Sequence, residues 1–78
     1  MKTIKLENIE HIFRETFPDA DEIEFNKDLK INDFKAWDSL GNFNFLLAIE
    51  EFHKIRFSID EMSEIKSIAQ LIEILKKK

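Results

Sequence analysis

The chain has 78 residues, with 16 acids against 12 bases, a net charge of −4 and no cysteine. Its length predicts one domain over 1–78, near the lower limit for a self-supporting core. The missing cysteine excludes disulfides, thiolate metal sites and a cysteine nucleophile, and the acidic balance argues against nucleic acid, whose binding draws on neutralised phosphates.

Eight Phe and one Trp supply core bulk, whereas one Gly and one Pro leave little for strands, tight hairpins or a phosphate-cradling loop. Met1 to Glu7 lacks the apolar run of a signal peptide, and no window nears the roughly 20 apolar residues of a membrane span. The expected setting is the cytoplasm, with no membrane span and no nucleic-acid partner.

Thr3 reads as a first cap. Ile9, Ile12, Phe13 and Phe17 then recur at near-helical spacing between Glu7, Glu10, Arg14 and Glu15, which predicts a helix from about Thr3 to Thr16. Pro18 ends it, because the residue before a proline is pushed out of the helical region. The acid-rich connection from Asp19 to Asp38 holds Ile23, Phe25, Leu29, Ile31, Phe34 and Trp37. A disordered linker would not carry so many large apolar groups, so the expectation is an ordered loop with a short helical turn around Lys27 to Ile31, pinned to the core. Long ordered loops are usually functional.

Asp38 and Ser39 open a second helix running to about Lys54, each with a side-chain oxygen suited to an orphan first-turn amide. At about 100° per residue, Phe45, Leu46, Ile49 and Phe52 form one broad face, predicted to be core. Leu40, Asn44, Leu47 and Glu51 gather on the opposite side, with Phe43 between. A helix apolar nearly all round is either central to a bundle or partly a binding surface; the mixed stripe fits the latter, unless Leu40 and Leu47 pack under the loop.

Ile55-Arg56-Phe57 is a short apolar link. Ser58 and Glu61 make a capping box for a helix over about Ile59 to Ile65. Ser67 and Gln70 repeat the device for a last helix with Ile68, Leu71, Ile72 and Leu75 inward. Lys76-Lys77-Lys78 suits the negative end of that helix. The prediction is all-α: a small four-helix bundle with a long ordered loop between the first two long helices.

Ser39 therefore stands at the mouth of the most apolar helix. A nucleophilic serine needs a base, and the candidates are His11 and His53. His11 reads as a partly exposed polar position. His53 lies about 21 Å along the helix axis from Ser39, at about 1.5 Å per residue, and reads as a partly exposed spacer near the core face. No Gly-x-Ser-x-Gly elbow and no metal-ligand spacing is present, so the chain is not expected to be an enzyme. A hydroxyl at a helix start suits a different use: an incoming phosphate gains from the helix dipole and free amides. That physics alone does not choose between a kinase and another transferase.

Asp38-Ser39-Leu40 resembles the attachment motif of acyl carrier proteins. Leu47-Ala48-Ile49-Glu50-Glu51, Ile55-Arg56-Phe57-Ser58 with Asp60-Glu61, and Ser67-Ile68-Ala69-Gln70-Leu71-Ile72 are similar to the family's later segments. The likeness spans the chain in length and helix order. It implies a four-helix bundle of acyl-carrier type, with Ser39 carrying 4'-phosphopantetheine. A phosphopantetheinyl transferase, using magnesium and coenzyme A, would activate the Ser39 hydroxyl, whose oxygen attacks the pyrophosphate and forms a phosphodiester. Asp38 would assist that transferase. The arm's thiol would hold an acyl or aminoacyl group as a thioester, which supplies thiol chemistry to a cysteine-free chain. Leu40, Asn44, Leu47 and Glu51 match the family's partner-facing stripe, for acyl- or aminoacyl-loading and acyl-transferring enzymes. The carrier is expected to be a monomer that catalyses nothing.

Asn44 stands where carriers of fatty-acid synthesis usually have an acid, and Trp37-Asp38-Ser39-Leu40-Gly41 looks more like the discrete carriers of specialised pathways. Phe52-His53 also departs from the family pattern, with Phe52 expected to take over the apolar role. Phe43, Phe57 and Met62 replace smaller groups around the family's chain pocket, which predicts a short or polar cargo. The competing readings are an aminoacyl or peptidyl carrier for an adenylating enzyme, an unmodified helical interaction module, and primary fatty-acid synthesis.

Overall fold

A computed structural model describes residues 4–20 and 22–78. Four α-helices follow in order: α1 Leu6–Thr16, α2 Ser39–His53, α3 Ile59–Glu64 and α4 Ile68–Lys76, with a 3-10 turn at Pro18–Ala20. No strand occurs among the described residues, apart from a one-residue antiparallel bridge between Lys30 and Ser67. The fold is all-α, and no helix among these residues is long and apolar enough to cross a membrane.

The predicted Thr3 cap lies outside the described residues. The first helix begins at Leu6 rather than Thr3, after Lys5, whose side chain makes no cap bond. Ile9, Ile12 and Phe13 bury its inner face, and Phe17 follows them into the core. Phe13 is the hub of an aromatic cluster. Its ring centroid lies 5.2–5.7 Å from those of Phe17, Phe25, Phe34, Trp37 and Phe45. Three of these partners come from the long loop, so the loop is pinned by its apolar side chains as expected. Edge-on pairs of this kind add about 0.5–1.5 kcal/mol each beyond their burial. Arg14 fastens the start of the loop, donating to the carbonyls of Ala20 and Ile23 while pairing with Glu10.

The turn expected around Lys27 to Ile31 is confined to Lys27–Asp28, where the Leu29 amide donates to the Asn26 carbonyl at 3.3 Å, and it does not continue as a helix. The Asn26 side chain accepts from the Asp28 amide in an Asx turn, and the chain then extends past the start of α4. The Leu29 and Lys27 carbonyls accept from the amides of Ile68 and Ala69 at 3.0 and 3.1 Å. Ser67 Oγ takes the Gln70 amide at 3.1 Å. The three first-turn amides of α4 are thereby satisfied, two of them by a segment far away in sequence. A helix over 27–31 would withdraw those carbonyls, so the turn stops at Asp28 and Leu29–Lys30 runs past α4.

The capping box at α3 forms as read, with Ser58 and Glu61 exchanging bonds at 2.9 and 3.0 Å. Its counterpart at α4 differs, because Gln70 Oε1 accepts from the Lys66 amide instead of that of Ser67. Ile68, Leu71 and Leu75 are buried as predicted, with Ile72 half-buried. Lys78 does more than face a helix end: its Nζ lies 2.7 Å from Glu61 Oε1 and 5.8 Å from the Phe57 ring centroid.

That contact, with the Ser58 bond, holds the Glu61 carboxyl below its ordinary value of 4.5. A depressed carboxyl stabilises the fold above its unfolded value, and the contribution is lost as pH falls through the folded one. An NMR titration of the Glu61 side chain is expected to give a midpoint below 4.5 that rises in Lys78→Gln. An unchanged midpoint in the variant would remove Lys78 as the cause.

Candidate functional site

The site grows from the junction of loop and helix. Asp38 is extended and caps α2, its Oδ1 accepting from the Gly41 amide at 2.8 Å. The Asn42 amide donates to the Asp38 carbonyl at 2.8 Å. Of the two helix-opening residues, Asp38 alone is the cap, and Ser39 is the first helical residue. The Ser39 side chain is exposed and takes part in no hydrogen bond among the described residues, and the same holds for the Ser39 and Leu40 amides. A free hydroxyl beside two free first-turn amides fits a phosphate ester by donor set and by helix polarity.

Gly41 brings the loop close behind this turn. A Cβ there would stand 2.3 Å from the Ala36 carbonyl oxygen and 3.0 Å from Phe17 Cε1. Backbone cannot step aside as a side-chain tip does, so Gly41→Ala is expected to destabilise by roughly 1–3 kcal/mol, as overpacking does. Urea unfolding followed by Trp37 fluorescence measures it; a loss under about 0.5 kcal/mol would mean that the loop yields freely.

Under the site lies a buried polar bridge. Trp37 Nε1–H donates to Asn42 Oδ1 at 3.0 Å, and Asn42 Nδ2 donates to the Ile65 carbonyl at 2.8 Å. Asn42 is only 7% exposed, and Trp37 and Ile65 are buried. One amide side chain therefore ties the loop, α2 and the α3–α4 link together. The loop is further closed by the Asn32 amide donating to the Trp37 carbonyl at 2.7 Å, with Asn32 at a φ of 72°; asparagine tolerates that left-handed conformation better than most residues.

The predicted stripe is exposed. Leu40 and Leu47 are 69% and 41% exposed, and Asn44 and Glu51 also face outward, so the two leucines do not pack under the loop. Phe43 is 47% exposed and adds an aromatic ring to the same side. Phe43 thus does not fill the interior as expected, although Phe57 is buried and Met62 half-buried. Phe52 departs from its predicted core role too. It is half-exposed along a shallow groove with Ile12, Thr16 and Ala48, because α1 presents Glu15 and Thr16 there instead of an apolar cover. Asn42 takes a place on the buried face beside Phe45, Leu46 and Ile49. The one local sequence signal for this role of Asn42 is Trp37 five residues earlier, whose indole N–H needs a partner when buried.

A groove of about 500 Å³ opens beside Ser39, between Phe43 and Leu46 of α2 and Ile59, Met62 and Ser63 of α3, with Lys66 on its edge. His11 pairs with Glu15 on the outer side of α1 at 2.8 Å. His53 Nδ1 lies 3.2 Å from the Ile49 carbonyl, which only accepts, so this nitrogen carries the proton. Half-buried at the last turn of α2, His53 stands at the opposite end of the helix from Ser39. No group of three or more potential metal ligands gathers among the described residues. Searches against protein-family models, curated proteins and solved structures return no match to this chain.

Proposed function

We propose that this chain is a carrier protein of acyl-carrier type. It holds an acyl group as a thioester on a phosphopantetheine arm attached to Ser39 and delivers it to partner enzymes of a dedicated biosynthetic pathway. The observation that carries the reading is the division of labour between Asp38 and Ser39. The aspartate caps α2, so the serine hydroxyl is left exposed and unbonded within the Asp38-Ser39-Leu40 motif. In this reading the four helices and their long loop form an acyl-carrier bundle whose working end is the start of α2.

The attached arm supplies a terminal thiol, which this cysteine-free chain lacks. Ser39 Oγ is the acceptor: it forms the bond to phosphorus, loses its proton in the transferase, and the nucleotide half of coenzyme A departs. The unpartnered amides of Ser39 and Leu40 face the ester with the positive end of α2. Asp38 holds the turn that presents the hydroxyl. Leu40, Asn44, Leu47 and Glu51 meet the transferase and then the loading and acyl-transferring enzymes. The carrier works as a cytoplasmic monomer and performs no chemistry of its own.

The test is intact mass after incubation with coenzyme A, magnesium and a broad-specificity phosphopantetheinyl transferase. A gain of one phosphopantetheine, located on Ser39 by fragmentation, is the expected result. No gain with several transferases, on folded protein, overturns the reading. The exposed Leu40, Phe43 and Leu47 then favour the second reading, an unmodified helical interaction module.

A further inference from the structure

The groove beside Ser39 limits what the arm carries, an inference that rests on the carrier reading of that residue. Its floor is closed. Asn42 and Leu46 line it, both are buried, and the route inward between α2 and the α3–α4 link is barred by the 2.8 Å bond from Asn42 to the Ile65 carbonyl. Behind Asn42 stands the Trp37 indole, bonded to the same amide. A chain entering here would have to break both bonds and strand the Trp37 indole N–H, the Ile65 carbonyl and the Asn42 amide. The walls are apolar, from Phe43, Ile59 and Met62, but the groove carries one charge, Lys66. The Lys66 backbone is held on both sides. Its amide donates to Gln70 Oε1 at 2.9 Å, and its carbonyl accepts from Ile31 at 2.8 Å. Its ammonium pairs with no carboxylate among the described residues, in a chain of net charge −4.

We propose that the group carried on Ser39 is a short acyl chain ending in a carboxylate. Its methylenes lie on Phe43, Ile59 and Met62 and its charge at Lys66, while the Asn42 bridge keeps it out of the interior. A free ammonium on the cargo, as in an aminoacyl group, meets a like charge in this groove.

The experiment loads the protein with propionyl, succinyl, β-alanyl and octanoyl arms from the corresponding coenzyme A thioesters. Each product is followed by NMR of the Phe43, Met62, Ser63 and Lys66 signals and of the Trp37 indole N–H. The succinyl arm is expected to dock two- to five-fold more than the propionyl or β-alanyl arm, about the strength of one exposed ion pair. Lys66→Gln, an exposed change that leaves the fold intact, removes that preference, and the Trp37 indole signal stays in place with every arm. Equal docking of succinyl and propionyl arms overturns the assignment. So does a Lys66→Gln effect equal for both, since the lysine would then serve the arm's phosphate. An octanoyl arm that moves the Trp37 indole signal overturns the closed floor. Failure of every thioester to load overturns the carrier reading itself; loading without preference overturns only the cargo.

Discussion

Ser39→Ala is expected to abolish phosphopantetheine uptake completely and to leave the unfolding curve where it was. The two outcomes have separate causes. The hydroxyl is the only nucleophile the proposed reaction uses, so alanine leaves no product mass. The same hydroxyl bonds to nothing in the fold among the described residues, so its removal leaves no buried group unsatisfied. A change at such a position usually stays within about 0.5 kcal/mol. Asp38→Ala supplies the contrast, because it removes the bond to the Gly41 amide and with it a helix cap, at about 1 kcal/mol. Intact mass and urea unfolding of the two variants side by side test the assignment. If Ser39→Ala costs as much stability as Asp38→Ala, the serine is a cap after all and the carrier reading loses its main support. If Ser39→Ala is unmodified yet retains every partner interaction and biological activity, the interaction-module reading replaces it.

Asn42→Ala is expected to cost about 2–4 kcal/mol, the largest loss of stability among the changes considered. Alanine strands the Trp37 indole N–H and the Ile65 carbonyl, both buried, and each unsatisfied group costs about 1–3 kcal/mol. In a domain near the lower size limit that is a large part of the total. Asn42→Leu separates polarity from volume: it fills the space but satisfies neither group, so it is expected to lose about as much. The measurement is the urea midpoint at constant slope, read by Trp37 fluorescence. A leucine variant as stable as the parent would show that packing, not the bridge, holds the loop to α2. The same variants weaken the closed floor beneath the groove, so stability and cargo exclusion are expected to fall together.

Where the chain turns and where each helix ends were legible because short-range chemistry sets them. Pro18 stops α1 by lacking an N–H and by pushing Phe17 out of the helical region, while Asp38 starts α2 and Ser58 with Glu61 starts α3 through bonds spanning three residues. The core faces of α1 and α4 were equally readable, since their apolar residues recur on one side only. The exposure of Ser39 followed from the same local logic; periodicity groups the stripe of Leu40, Asn44, Leu47 and Glu51, but only the tertiary structure decides that it faces solvent instead of the loop.

Helix α2 resisted that reasoning. It is apolar nearly all round, so periodicity alone does not say which neighbours arrive to cover which side. Phe52, on the predicted core face, is half-exposed because α1 offers Glu15 and Thr16 beside it, and Phe43, between the two faces, lies on a groove. The local sequence of Lys27 to Ile31 permits a helical turn, but only Lys27–Asp28 turns. The turn goes no further because the amides of Ile68 and Ala69 take the carbonyls of Leu29 and Lys27. The amino-acid sequence by itself therefore determined the helical class, the capping box of α3 and the position of the exposed serine, all consequences of contacts within one or two turns. Only the tertiary structure decided that Asp38 alone caps α2, that Asn42 is a buried bridge from Trp37 to Ile65, and that the groove beside Ser39 is floored. The last two depend on groups brought together from separate elements, Asn42 and Ile65 being 23 residues apart, where burial raises the cost of every unpaired polar atom.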